Sequence, residues 1–188
     1  MSNKDIELFH NPFITVFHRE TPDGYLYTVV KPRLGEGSSV IPMIPASENN
    51  PESRFLVVSQ YRPPINGISW EFPAGGIDEN ETAFTTAIRE LEEETNVIVA
   101  PEHLYEVGQF HNAPSLAEDL IHLFIAVLPG DYDEKNVICQ ESEILDYKWL
   151  TISELIHNTL NDKSYNMHII SQLVKAKVAG HITDELSF

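Results

Sequence analysis

GGIDENETAFTTAIRELEEETNV, residues 75–97, runs from a glycine-rich turn into a segment whose apolar residues recur at helical spacing. At about 100° per residue, Phe84, Ala87, Ile88, Leu91 and Thr95 share one stripe, the face a core would cover. Glu90, Glu93 and Glu94 fall on a second stripe, about 120° away, at spacings i, i+3 and i+4. Like charges so placed cost roughly 0.2–0.5 kcal/mol per pair in an isolated helix. They also lie toward the helix C-terminus, where the macrodipole disfavours negative charge. Arg89 is the nearby cation, and by angle it sits behind the stripe; Glu92 adds charge from another direction. Such a wall is either a solvated acidic face or a ligand set whose repulsion a divalent ion relieves. Carboxylate oxygens suit hard cations, Mg²⁺ or Mn²⁺, better than zinc or copper.

The whole chain has 188 residues, 42% of them hydrophobic, which suits one domain with its own core. Its single cysteine, Cys139, excludes an internal disulfide framework and a cysteine-built zinc site, and no basic neighbour in sequence activates the thiol. Acidic residues number 29 against 12 basic ones, a formal net charge of -17. That balance argues against nucleic acid or an anionic membrane as partner, because each is held by a basic face. An anionic ligand would need metal ions or a few placed cations between it and the protein. The N-terminal MSNKDIELFHNPF lacks the basic and apolar regions of a secretory signal. The longest apolar run, residues 123–128, is far short of the roughly 20 residues of a membrane helix. A cytoplasmic protein is expected. His103, His111, His122, His157, His168 and His181 show no shared metal-like spacing, and GDYDEKN reads as a solvated turn.

Outward from the central helix, residues 14–31 read as a β-hairpin, with ITVFHRE and YLYTVVK on either side of Pro22-Asp23-Gly24. A linker, PRLGEGSS, leads to strands near 40–44 and 54–61, separated by the polar SENNPES. WEFPAGGIDENE holds enough turn formers to be mostly loop. Beyond the helix at 82–95, strands are expected at 104–112, 121–128 and 145–150, followed by helices at 151–160 and 165–178. Strands, one helix, more strands and closing helices favour a mixed α/β or α+β sandwich over a parallel βαβ repeat.

Gly75, Glu81, Arg89-Glu90-Leu91, Glu93-Glu94 and Val97 fit the spacing G-x5-E-x7-R-E-U-x-E-E-x-G-U, with U apolar. The stretch resembles the Nudix box and departs from it at the last glycine, where Asn96 stands. Asparagine is the commonest substitute for glycine in the left-handed conformation past a helix end, so Asn96 is expected at positive φ. The resemblance implies an α/β fold, an α/β/α sandwich with a mixed sheet. It divides the chain into a small N-terminal β-hairpin region, 1–38, that helps form a dimer, and a Nudix hydrolase domain, 39–188. It implies Mg²⁺, with Mn²⁺ as the alternative, held by Glu90, Glu93, Glu94 and the main-chain carbonyl of Ala74. It also implies a brace at Gly75, Glu81 and Arg89, with Glu81 and Arg89 paired to fix the loop against the helix.

The flank QYRPPINGISWEFPAGGID is similar to the ADP-ribose (ADP-sugar) pyrophosphatase subgroup, in which RPP and E-[FL]-P-A-G precede the box. That likeness implies hydrolysis of the pyrophosphate bond of ADP-ribose or a related ADP-sugar, to AMP and a sugar phosphate, by a homodimer. Arg62 would contact a substrate phosphate; the alternative is a surface arginine in a proline-rich turn. Phe13 would stack on adenine, sometimes across the dimer, or else belong to the core. Trp70 is assigned to packing, and Pro114 to a loop over the site. Three residues compete as general base: Glu118 in HNAPSLAED first, then Glu143 in QESEILDYKWL, then Glu93. Two other functions stay open, a Nudix hydrolase of another substrate such as GDP-mannose or NADH, and a non-catalytic ADP-ribose-sensing module. The presence of all three box glutamates weighs against the second.

Overall fold

The structure, a computed structural model, describes residues 5–48, 50–139 and 143–186. Alternating side chains on its strands explain the layering. Val40, Leu56, Phe124 and Ala126 project to one face of a mixed sheet, where they pack with Ala87 and Leu91 of the central helix. Their neighbours Ile41, Val57, Leu123 and Ile125 project to the other face and meet Ile152, Leu155, Ile169 and Leu173 of the two C-terminal helices. The expected α/β/α sandwich is therefore present, because central strands apolar on both faces need a helical layer on each.

The sheet has seven strands: β4 (Glu36–Ile44), β5 (Arg54–Arg62), β6 (Gly67–Glu71), β7 (Ala74–Gly76), β8 (Leu104–Phe110), β9 (Leu120–Val127) and β10 (Ile144–Leu150). Five lie in the order β10-β5-β4-β9-β8, while β6 pairs with β5 and β7 with β4. β4 and β9 run parallel from Glu36↔Leu120 to Met43↔Val127, and the remaining pairs are antiparallel. The helices are α1 (Ala83–Thr95), α2 (Ile152–Asn161) and α3 (His168–Val178). Among the described residues no helix is long and apolar enough to cross a membrane.

Before this sheet lies a second one, antiparallel, of β1 (Ile6–His10), β2 (Ile14–Glu20) and β3 (Leu26–Pro32). The hairpin at 14–31 is as expected, turning at Gly24 with φ 84°. β1 has no counterpart in the sequence reading, since all five of its residues are exposed and leave no burial alternation to detect. WEFPAGGIDENE is also less loop-like than expected, because Trp70 and Glu71 belong to β6 and residues 74–76 form β7. β7 has almost no intrinsic strand preference. Backbone pairing with Gly37, Ser38 and Ser39 supplies it, and a Cβ on Gly37 would come within 2.8 Å of the Gly75 carbonyl oxygen.

Local chemistry fixes both ends of α1. The Thr82 hydroxyl accepts from the Thr85 N–H, and the Thr85 hydroxyl accepts from the Thr82 N–H. At the other end Asn96 adopts φ 58°, as its place after the helix requires, and its N–H donates to the Glu92 carbonyl at 2.7 Å. The expected brace then ties the helix to the preceding loop. Arg89 donates from Nε and Nη2 to the two carboxylate oxygens of Glu81, at 2.8 and 3.0 Å, and from Nη2 to the Gly76 carbonyl at 3.2 Å. Hydrogen bonds from Arg89 and then from the Thr86 hydroxyl lower the Glu81 pKa to about 2.

Two stability outcomes follow from this helix. Asn96→Ala should lower stability by about 1–2 kcal/mol in urea unfolding, while Asn96→Gly should leave it equal or raised. Because the Glu81 pKa is depressed on folding, its contribution is complete above the unfolded value near 4.5 and vanishes as pH falls toward 2. The stability gap between wild type and Glu81→Gln should therefore be constant above about pH 5 and shrink steadily below about pH 4.5.

Candidate active site

α1 turns its acidic stripe toward the glycine strand β7. Glu90 and Glu94 are 9% and 2% exposed, while the Glu93 side chain is 46% exposed. Burying carboxylates costs several kcal/mol per ion unless neighbours compensate. Here the Gln60 amide donates to Glu94 Oε1 at 2.9 Å, and Arg89 Nη1 lies 2.8 Å from both Glu90 Oε1 and Glu93 Oε2. Angle counting put Arg89 behind the stripe; its long side chain instead reaches round to bridge Glu81, Glu90 and Glu93. Contact with Glu81, then with Glu93 and Glu90, raises the guanidinium pKa further above its ordinary value, so its charge is permanent.

Gly75 has a specific steric reason. A Cβ there would sit 1.9 Å from Glu90 Oε1, so any side chain would force that carboxylate to shift from its present place. Among the described residues no three His, Cys, Asp or Glu side chains converge tightly enough to hold a metal ion in this arrangement. The donor set nevertheless fits a hard divalent ion. Three carboxylates share one helix wall, Glu90 packed against Gly75 of β7, and Arg89 already holds a positive charge between Glu90 and Glu93.

Next to this wall opens a cavity of about 460 Å³, lined by β7, the first residues of β4, the end of β8 and the start of α3. Arg62 and Glu71 stand on its edge as a two-bonded pair, Nε to Oε1 at 3.2 Å and Nη2 to Oε2 at 2.7 Å. Burial alone would raise the Glu71 pKa, but hydrogen bonds from Arg62 and Ser69 outweigh it and the net shift is downward. Arg62 is thus oriented by a carboxylate rather than loose in a proline-rich turn.

The competing acids separate in space. Glu118 points away from the cavity, to Arg19 Nη2 at 2.6 Å and Lys31 Nζ at 2.9 Å on the N-terminal sheet. Its N–H donates to the Val30 carbonyl, and the Val30 N–H to the Leu116 carbonyl, so this loop extends β3 by pairing. Lys31, and after it Arg19, hold the Glu118 pKa below the usual carboxylate range. Pro114 lines a separate hollow of about 250 Å³ with Glu118, whereas the next residue, Asp119, lines the main cavity. Glu143 is exposed just before β10 and acts electrostatically on Arg62. Its neighbours 140–142 lie outside the described residues.

Phe13 is 76% exposed in the β1–β2 turn, which removes the core alternative. Trp70 does pack, stacked on Tyr165 with ring centroids 5.7 Å apart and Lys148 Nζ 4.0 Å from its ring. Sequence reading missed Gln60, Glu71, Asn166 and Gln172 at the site, and took His168 for ordinary. Glu71 opens the quoted E-[FL]-P-A-G run without a role assigned to it, and the others stand in no spacing pattern; tertiary pairing brings them to the cavity and the carboxylate wall.

Known proteins show the same arrangement of sequence. The NUDIX domain model matches residues 44–171. ADP-ribose pyrophosphatase of Bacillus subtilis is 30% identical over 105 residues, which cover 56% of this chain and 55% of that protein. ADP-sugar pyrophosphatase of Mus musculus is 32% identical over 110 residues, covering 56% and 47%. Methanol dehydrogenase activator of Bacillus methanolicus is 32% identical over 116 residues, covering 61% and 60%. The matched stretch thus spans roughly half of these curated relatives. A crystal structure of an ADP compounds hydrolase superposes over 95% of each chain with a TM-score of 0.62 at 19% identity, a likeness of fold. The family match takes in well over half of the sequence and contains the whole of α1 with its brace, so this chain belongs to the NUDIX domain family.

Proposed function

We propose that the chain is a metal-dependent hydrolase of the pyrophosphate bond in ADP-ribose or a related ADP-sugar, releasing AMP and a sugar phosphate. One observation carries the reading: three carboxylates on one wall of α1, Glu90 and Glu93 held by the Glu81-braced Arg89 and Glu94 by Gln60, beside a cavity lined by an oriented arginine. The names of the B. subtilis and mouse relatives support the substrate class. Glu90, Glu93, Glu94 and the Ala74 carbonyl would hold Mg²⁺, or Mn²⁺ in its place. Such an ion, when bound, neutralises phosphate charge and lowers the pKa of water.

The protein's own residues do the rest. Glu71 takes Nε and Nη2 of Arg62, which fixes the guanidinium plane and leaves Nη1 for a phosphate oxygen. A general base must be free to accept a proton, and Glu118, tied to two cations, is poorly suited. Glu143, exposed and sensed by Arg62, is the better placed acid, with Glu93 third because Arg89 holds it. Phe13 is open to stack on adenine. Ile6, Leu8 and Phe9 leave apolar surface on the same sheet, which supports a homodimer built through the N-terminal region. The ligand is a nucleoside diphosphate sugar rather than nucleic acid or membrane, which the acidic composition supports, and the proposed compartment is the cytoplasm.

Purified protein with Mg²⁺ should release AMP from ADP-ribose faster than it turns over GDP-mannose or NADH; no AMP from any ADP-containing diphosphate rejects the reading. Glu94→Gln should lower kcat by about a hundredfold or more, as expected for a group acting on transition-state charge. Glu143→Gln should lower kcat and flatten the acid limb of its pH profile, while Glu118→Gln should affect kcat less.

A further inference from the structure

One face of β5 changes character along its length. Side chains on the strand alternate between the two layers, and Leu56, Val58, Gln60 and Arg62 share the side that meets α1. Leu56 and Val58 are both 0% exposed, and Gln60 follows them at 6%. An apolar side chain would continue that run. An amide stands there instead, and burying an amide is unfavourable unless it is hydrogen-bonded. Its Nε2 donates to Glu94 Oε1 at 2.9 Å, on the last turn of α1, where Glu94 is 2% exposed. The bond ties strand to helix between residues 34 apart in sequence.

The kind of donor matters. Two residues along β5, Arg62 gives Glu71 a charged, two-bonded grip, and Arg89 gives a charged contact to Glu90 and to Glu93. At Glu94 Oε1 the donor is neutral. A guanidinium or ammonium at position 60 would hold the carboxylate more strongly, but it would also repel a divalent ion approaching it. An amide fixes the direction of the carboxylate and leaves its negative charge for a cation. We propose that Gln60 is a positioning residue of the metal site, setting the affinity for the divalent ion by holding Glu94 from across the sheet. Its action runs through Glu94. This rests on the metal-dependent reading above and adds the group that orients one of its ligands.

Mn²⁺ is the probe, titrated into substrate-free protein and followed by the electron paramagnetic resonance of the free ion. In Gln60→Leu, which keeps the bulk and removes the donor, Kd for Mn²⁺ should rise about tenfold, the loss typical of an orienting partner behind a metal ligand. The Mg²⁺ concentration for half-maximal AMP release from ADP-ribose should rise by a similar factor, and saturating Mg²⁺ should restore most of the lost rate. A packing role alone predicts an unchanged Mn²⁺ Kd, or a lost rate that no Mg²⁺ concentration restores; either result overturns the proposal. Gln60→Asn, whose amide is one methylene short of Glu94, carries the same test if Gln60→Leu does not fold. If the wild type binds Mn²⁺ but releases no AMP, the hydrolase reading fails, and the Mn²⁺ titration alone decides the role of Gln60. If the wild type binds no Mn²⁺, the metal-dependent reading fails and this proposal with it.

Discussion

A single guanidinium organises the α1 side of this molecule. Arg89 touches Glu81 before the helix, Glu90 and Glu93 on it, and the Gly76 carbonyl of β7. Through those contacts one permanently charged group fixes the loop, the helix and the edge of the sheet relative to one another. Without it, three carboxylates on adjacent turns would repel one another with no cation between them. The price is that any ion entering the wall must share Glu90 and Glu93 with an arginine that is already there.

The sequence disclosed the parts of this design that follow local rules. Helix periodicity placed α1 and the acidic stripe, and the position after the helix predicted the left-handed Asn96. Apolar runs located the central strands to within a few residues. Elements held by partners rather than by propensity were not legible. β1 is wholly exposed, and β7 is Ala-Gly-Gly, whose extended backbone depends on Gly37 to Ser39 across from it. The reach of Arg89 likewise escaped an angular argument, because a long side chain is not confined to the bearing of its Cα.

The site showed the same division. The box glutamates could be named from spacing, whereas Gln60 and Gln172 could not, since each matters through a residue far away in sequence, Glu94 and Ser39; Glu71 stood in the quoted flank, but its pairing with Arg62 was not legible. Adjacent residues also part company. Glu118 turns to Arg19 and Lys31 while Asp119 lines the cavity, a consequence of extended backbone in which successive side chains oppose each other. Sequence proximity to a loop over the site therefore says little about which acid faces in.

The empty space at the Gly75 α-carbon has a wider implication. With a carboxylate packed against that atom, a methyl group there would require the end of the Glu90 side chain to move. On the other face the cavity-lining residues of α3 are held by different neighbours: Ile169 by the core, His168 by Phe110 and Gln172 by Ser39. Change at position 75 is therefore coupled to the acidic helix, whereas change at the start of α3 is coupled to the core and to the end of β8.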